Sequence, residues 1–201
     1  MDFPFRPVPK KFRAIPTSAK KVFEGIIFDV YQWEQKMFDD TTETFEMLKR
    51  PDTIGVITIV DGKALILNEE QPNDIKRINF PLGRVNKNES ILDAAYRELK
   101  EETGITPEKL YYVESIQEVG KIDWLIHFFI SIGIKEQTDP KLDAGEKITL
   151  QTIEIDEIIE RHKKLSLEMP EIFTELLLNN KVEEYKDRLL SPEKYFSEVK
   201  I

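Results

Sequence analysis

The stretch "GRVNKNESILDAAYRELKEETGI", residues 83–105, decides the fold prediction because it changes from a loop-like to a strongly helical pattern. Ser90 is a suitable N-cap, and Gly104 stands where a helix C-cap glycine would. We therefore predict a helix over residues 90–103 with one buried face. Four residues with large apolar parts or small side chains and one threonine recur at intervals of three and four positions, the spacing of one helix face: Leu92, Ala95, Tyr96, Leu99 and Thr103.

Three glutamates occupy a different side of the same helix. Glu98 lies three positions before Glu101 and four before Glu102, so the three carboxylates share one side. Like charges at this spacing destabilise a helix by about 0.2–0.5 kcal/mol per pair, and Arg97 offsets only part of that repulsion. The side is either a solvated surface or a site for a hard divalent cation such as Mg²⁺, which prefers carboxylate oxygens. The spacing alone leaves both interpretations open.

Composition excludes several classes of site. The 201 residues carry a net charge of −9, which argues against a nucleic-acid-binding surface because such surfaces are basic. The chain has no cysteine, so disulfides, thiolate nucleophiles and thiolate metal sites are excluded. The longest apolar run, "WLIHFFISIGI", is shorter than the roughly 20 residues that span a bilayer. We expect a cytoplasmic protein with no membrane or nucleic-acid partner.

The N-terminal quarter reads as an extension before a main domain. Residues 1–20 contain four prolines and are expected to form an extended lead-in. Residues 21–38 and 41–50 are rich in β-branched and aromatic residues, so they predict a hairpin with an acidic turn. The expected division is therefore 1–20, 21–50 and 51–201.

The main domain alternates strands with helices. Residues 53–60 and 63–70 predict a hairpin, since the Asp-Gly pair between them favours a tight turn. A loop is expected over residues 73–83, before the acidic helix. Further strands are expected at 110–118, 122–134 and 148–155, and amphipathic helices at 156–165 and 170–190. The order predicts a single α+β or α/β sandwich.

The acidic helix belongs to a longer pattern that resembles the Nudix box. Every defined position of that 23-residue signature is filled here: Gly83, Glu89, Arg97, Glu98, Leu99, Glu101, Glu102, Gly104 and Ile105. The chain is identified on these residues as a Nudix hydrolase. The resemblance implies an α/β/α sandwich with a mixed sheet over about residues 50–165.

The resemblance also implies a metal site. The family uses Mg²⁺ or Mn²⁺ to cleave a diphosphate linked to another moiety. Glu98 and Glu102 match its metal ligands, and Glu101 matches a further ligand or base. Gly83 matches the glycine whose neighbouring carbonyl often joins the metal shell. Glu146, in "DAGEKI" (143–148), resembles a loop acid that acts as ligand or base.

The implied chemistry is attack of water on one phosphorus, which gives two monophosphate products. Glu101, Glu102 and Glu146 are the candidate catalytic acids. Arg97 matches the arginine that orients the glutamates through charge-assisted bonds, and Glu89 matches the acid that steadies the loop.

The segments before the box resemble one subgroup, the pyrophosphatases of ADP-ribose and nucleoside diphosphate sugars. "FEGIIFDVYQWEQKMF" looks like the strands through which those enzymes form a swapped homodimer and help to hold the nucleotide. A homodimer with a nucleotide substrate is therefore expected. Arg50, Arg84 and Trp33 are the expected substrate-binding residues, with Arg50 matching a position that contacts the diphosphate.

Two other functions stay open at this point. A hydrolase of nucleoside triphosphates or dinucleoside polyphosphates would use the same box, and a non-catalytic nucleotide-binding module would share the fold. Asn79 stands where the subgroup commonly has glutamate, and Lys121 where enzymes of ADP-ribose often have proline. The moiety beyond the diphosphate is accordingly left open.

Overall fold

The computed structural model describes residues 6–72, 76–142 and 144–200. The first five residues of the expected lead-in, the start of the expected 73–83 loop and Asp143 of "DAGEKI" lie outside these ranges. The strands are β1 (Lys20–Glu24), β2 (Asp29–Lys36), β3 (Thr42–Lys49), β4 (Thr53–Val60), β5 (Lys63–Glu70), β6 (Arg77–Asn79), β7 (Leu82–Arg84), β8 (Ile105–Thr106), β9 (Lys109–Ile116), β10 (Ile122–Asp123), β11 (Ile126–Ile132), β12 (Glu136–Gln137), β13 (Lys147–Ile153) and β14 (Ser197–Val199). The helices are α1 (Ile91–Thr103), α2 (Ile155–Lys163), α3 (Glu171–Leu178) and α4 (Val182–Leu190), followed by a 3₁₀ turn at Pro192–Lys194.

The main sheet is mixed, with the order β13-β5-β4-β11-β9-β14 and the short strands β6 and β7 paired to β5 and β4. The predicted hairpin of β4 and β5 is confirmed, and its turn residues Asp61 and Gly62 both have positive φ, at 51° and 77°. Strand β11 runs parallel to β4 and antiparallel to β9. This arrangement confirms the mixed sheet of the predicted sandwich.

Neighbouring residues on the central strands bury opposite faces of the sheet. Val56 and Phe129 pack in the cluster that contains α1, whereas Ile57 and Ile130 pack in the cluster that contains α2, α3 and α4. Strand side chains alternate between faces, so each central strand contributes to both layers. Helices on both faces explain why β4 and β11 are almost continuously apolar, and they confirm the α/β/α architecture.

Helix α1 begins and ends where the sequence predicts. The Ser90 hydroxyl accepts a hydrogen bond from the Asp93 N–H at 3.0 Å, which caps the first turn. Gly104 has a φ of 74°, in the left-handed region that glycine adopts without steric cost, and its N–H donates to the Lys100 carbonyl at 2.9 Å. These two caps fix the helix that carries the glutamates.

A second sheet, with the order β1-β2-β3-β10, forms beside the main one. The β2–β3 hairpin confirms the predicted pairing, and Asp40 in its turn has a φ of 66°. The expected first segment, 21–38, is divided between β1 and β2, which pair antiparallel with each other. Strand β10 joins this sheet because the expected strand 122–134 is interrupted at Trp124. The Leu125 N–H donates to the Asp52 carboxylate at 2.9 Å there, so the chain passes from one sheet to the other.

Two further departures concern the C-terminal region. The expected helix 170–190 divides into α3 and α4, because Asn180 takes a φ of 56° that no right-handed helix accommodates. Strand β14 pairs with β9 and had no counterpart among the predicted strands.

Candidate active site

Gly83 and Glu98 lie in direct contact where β7 meets α1. A β-carbon at Gly83 would overlap the Glu98 carboxylate group, so only glycine leaves room for that side chain. Gly83 also pairs with Ile54 on β4, which holds its backbone within the sheet. The sheet and the helix together therefore fix the Glu98 carboxylate against a strand backbone.

Arg97 connects the acidic residues of the box. Its Nε and Nη2 donate to the two carboxylate oxygens of Glu89 at 2.7 and 2.8 Å. Its Nη1 lies 2.7 Å from Glu98 Oε1 and 3.0 Å from Glu101 Oε2. Nη2 donates further to the Arg84 carbonyl at 3.0 Å. The bonds to Glu89 foremost raise the pKa of Arg97, which stays charged and holds these carboxylates together.

Glu102 is the most deeply buried acid of the cluster, with 7% of its surface exposed. Its carboxylate accepts a hydrogen bond from the Leu82 N–H at 3.2 Å. Burial, followed by the charges of Glu98 and Glu146, raises the pKa of Glu102 to about 9. Burial likewise raises the pKa of Glu98. Glu146 lines the same cavity as Glu98 and Glu102, so this residue, distant in sequence, lies close to the helix.

These side chains surround a cavity of about 570 Å³, which we call the acidic cavity. Its lining includes the predicted metal-site residues together with three cationic side chains and two amides. In chain order the lining residues are Gln71, Leu82, Gly83, Arg84, Asn86, Arg97, Glu98, Glu101, Glu102, Lys141 and Glu146.

The donor set of the acidic cavity fits a hard divalent cation. Within the described ranges no three acidic or histidine side chains already form a ligand set, and Glu98 and Glu101 bond to Arg97 instead. Even so, these carboxylates repel one another, and burial disfavours their ionised form. A bound cation would stabilise that ionised form. Mg²⁺ and Mn²⁺ are suited to such oxygen donors.

Arg50 lies on the other side of the box loop, in a second cavity of about 580 Å³ that we call the outer cavity. Its guanidinium stands 4.5 Å from the Trp124 ring centroid and 5.6 Å from that of Phe28. Its Nε is buried and has no hydrogen-bond partner among the described residues. Burial and the charge of Arg84 lower the pKa of Arg50. Two neighbouring cations, one with an orphaned N–H, form a suitable contact for an anionic group.

Trp33 is the predicted substrate-binding residue that the structure does not bring to either cavity of this chain. Its ring packs against Phe45 at 6.1 Å, and its indole N–H donates to Gln35 at 3.2 Å. Tyr31, two residues earlier, lines the outer cavity instead. The role of Trp33 stays a prediction.

Arg6 is a residue of the outer cavity that sequence reasoning missed. Its guanidinium bonds to Asp52 at 2.5 and 2.8 Å and to Asp123 at 2.7 Å. Burial alone would raise the pKa of Asp52, but hydrogen bonds from Arg6 and His127 outweigh it and hold that pKa well below its usual range. The Asp52 carbonyl in turn accepts from the Val85 N–H at 2.9 Å, so this buried network anchors the box loop. No local pattern signals a contact between residues this far apart.

Comparison with known proteins agrees with the geometry. The NUDIX domain family matches residues 49–176. A methanol dehydrogenase activator from Bacillus methanolicus is 24% identical over 159 residues, which cover 77% of this chain and 86% of that protein. An ADP-ribose pyrophosphatase from Bacillus subtilis is 23% identical over 144 residues, covering 70% of this chain and 78% of that protein.

The fold has solved counterparts as well. A structure described as an ADP compounds hydrolase superposes with a TM-score of 0.61 at 15% identity, covering 77% of this chain and 86% of that one. Of the helices in residues 6–72, 76–142 and 144–200, none is both long enough and apolar enough to cross a bilayer. With the family match extending over more than half of its length, this chain belongs to the Nudix family of hydrolases.

Proposed function

We propose that this enzyme hydrolyses the pyrophosphate bond of a nucleoside diphosphate linked to a further moiety, with Mg²⁺ or Mn²⁺ as cofactor. The observation that carries the proposal is the acidic cavity, where Glu98, Glu102 and Glu146 meet beside a glycine backbone. Such a group of mutually repelling oxygen donors would accept a divalent ion and, with it, the phosphates of a substrate.

Glu98, Glu101, Glu102 and Glu146 would hold the metal, together with a carbonyl beside Gly83. A bound divalent ion supplies charge neutralisation at phosphorus and a more acidic water. Arg97 positions the acids, because one guanidinium bonds to carboxylates on both the loop and the helix. The more exposed carboxylates, Glu101 and Glu146, are the candidates to receive the proton of the attacking water.

The proposed substrate class rests on the cations beside the acidic cavity. Arg50 offers an unpaired Nε, and Arg84 lies near enough to depress its pKa. The anionic diphosphate would relieve the repulsion between these two arginines, and the divalent cation would relieve that among the carboxylates. The similarity to the Bacillus subtilis ADP-ribose pyrophosphatase supports a nucleoside diphosphate with an attached sugar or similar group.

A panel of nucleotides, with products identified by mass, tests the proposal. We expect two phosphate monoesters from a nucleoside diphosphate sugar in the presence of Mg²⁺ or Mn²⁺, and no products from Glu102→Gln. Glu157→Gln, on the exposed side of α2, is the matched control and should retain activity. Release of inorganic pyrophosphate from triphosphates would instead favour the second hydrolase class. Binding without hydrolysis in the presence of metal would favour a non-catalytic module.

We also propose that two copies associate through the N-terminal sheet. Ile26 is fully exposed and Ile27 is 46% exposed, and both line the outer cavity beside Arg50. A second copy of the chain that packs against this wall of the outer cavity would bury these exposed apolar side chains. The cytoplasmic location stays a prediction, which fractionation of cells would test.

A further inference from the structure

Lys141 reaches the acidic cavity from a segment outside the Nudix box. It lines both that cavity and an adjoining one of about 330 Å³, whose lining includes Lys100 and Arg97. Arg97 is engaged with three carboxylates, and Lys100 lies 3.4 Å from Glu136. Lys141 forms no ion pair with any described residue, so its ammonium is available to a ligand.

Backbone hydrogen bonds hold the segment that carries Lys141 against the C-terminal end of α1. The Lys141 N–H donates to the Glu101 carbonyl at 2.7 Å, and the Thr138 N–H donates to the Gly104 carbonyl at 2.9 Å. A β-carbon at Gly104 would collide with the Thr138 carbonyl oxygen. Gly104 therefore has a second role besides ending the helix, because it lets this segment pack close enough to present Lys141.

The cations that a diphosphate could contact line two cavities that share Asn86. Arg50 lines the outer cavity, Arg84 lines the acidic cavity, and Asn86 borders both. Lys141 lies on the segment packed against the far end of α1. A diphosphate that reaches from the outer cavity to the metal-site carboxylates would place one phosphate by the two arginines and the other toward Lys141.

We propose that Lys141 is a catalytic residue that binds the second phosphate of the substrate and stabilises its charge as it leaves. The inference rests on the proposed function. In that reaction the oxygen of water forms a bond to the phosphorus nearer the nucleoside, and the bond from that phosphorus to the bridging oxygen breaks. The bridging electron pair departs with the second phosphate as a monoester, and the water protons pass to a carboxylate and solvent. No proton is transferred to or from Lys141 in this step.

Kinetics of the 201-residue chain with saturating Mn²⁺ test this role. The ammonium of Lys141 would stabilise the transition state through a hydrogen bond to a charged phosphate. Because Lys141→Met removes that bond, we expect kcat to fall about 10- to 100-fold. KM should change less, because the charge on the leaving phosphate develops in the transition state. Thermal stability should not fall, and the Mn²⁺ concentration that gives half-maximal rate should not rise. Lys164→Met, at the exposed end of α2, is the matched control.

The absence of cysteine from the chain permits a sharper second measurement. Lys141→Cys can be alkylated at this single thiol with 2-bromoethylamine, which restores an ammonium at nearly the original length. We expect that treatment to recover most of kcat, whereas alkylation with iodoacetamide, which adds a neutral group, should not.

The outcomes separate the two proposals. If the unaltered protein turns over the substrate panel and Lys141→Met stays within twofold of it, the role of Lys141 is refuted and the function stands. Equal recovery with the neutral and the cationic alkylating agent, or a parallel loss of Mn²⁺ affinity, would also refute it. If the unaltered protein releases no phosphate monoester, both proposals fail together.

Discussion

Replacing Gly83 with alanine should greatly lower activity while leaving the fold nearly intact. The added methyl group would overlap the Glu98 carboxylate, and the Gly83 backbone cannot retreat because it pairs with Ile54 in the main sheet. The Glu98 side chain must therefore move by more than about 1 Å, and a misplacement of that size costs about 100-fold in rate. We expect kcat/KM to fall by about that factor, or roughly 2.7 kcal/mol in transition-state stabilisation.

The stability change should be small by comparison. Moving Glu98 breaks one contact of Arg97, which keeps its bonds to Glu89 and Glu101, and the loss of one such partly exposed pair costs about 1 kcal/mol. In a chain of this size that corresponds to a Tm decrease of about 2–4 °C. The control is Gly120→Ala, where a β-carbon would lie 3.6 Å from Arg13 in ordinary contact. Undiminished kcat/KM in Gly83→Ala would refute the reasoning, and a Tm decrease above 10 °C would show that the sheet had yielded instead.

Three further predictions concern other parts of the molecule. Arg6→Met should lower the free energy of unfolding by about 2–4 kcal/mol in chemical denaturation, because it leaves the buried carboxylates of Asp52 and Asp123 without their cation. Burial lowers the pKa of His162 below its ordinary 6.5, so the stability contributed by the neutral ring should be lost as pH falls below 6.5, measured by Tm against pH. Ile26→Asp should shift the molar mass in light scattering from dimer toward monomer.

Each of these has a control and an opposing result. Arg13→Met removes an exposed arginine of the same segment and should change stability by less than about 0.5 kcal/mol; an equal effect of both variants would contradict the buried ion-pair argument. His162→Gln should flatten the acid side of the Tm profile, and an unchanged slope would assign the titration to another group. A monomer already present in the unaltered protein would contradict the second-copy proposal.

The parts of the site that the sequence could predict are those set by local spacing. Residues three and four apart on a helix must share a side, so Glu98, Glu101 and Glu102 could be placed together without any structure. The caps of α1 follow from chemistry within a few residues, and both Ser90 and Gly104 act as predicted. Such features depend on backbone geometry that is nearly the same in every helix.

The features that escaped prediction depend on which distant segments meet. Arg6 bonds to Asp52 across 46 residues, and neither residue has a neighbour that marks it for pairing. The interruption at Trp124 has the same origin, because an apolar run of that length fits one long strand as well as two short strands in different sheets. What ends the strand is the Asp52 carboxylate, which accepts the Leu125 N–H and thereby replaces a bond within the sheet.

Gly104 shows how a local and a distant requirement can coincide at one residue. Its positive φ ends the helix, which a sequence pattern can indicate. Its missing side chain also admits the Thr138 carbonyl, which places Lys141 at the acidic cavity, and only the folded chain shows this. An alanine at 104 would therefore strain the helix end and displace the segment that carries Lys141. Gly104→Ala should accordingly reduce kcat even under conditions where the variant remains folded. Gly62 also has a positive φ but is exposed, with no atom within 4 Å of an added β-carbon, so Gly62→Ala should lower stability and leave kcat unchanged.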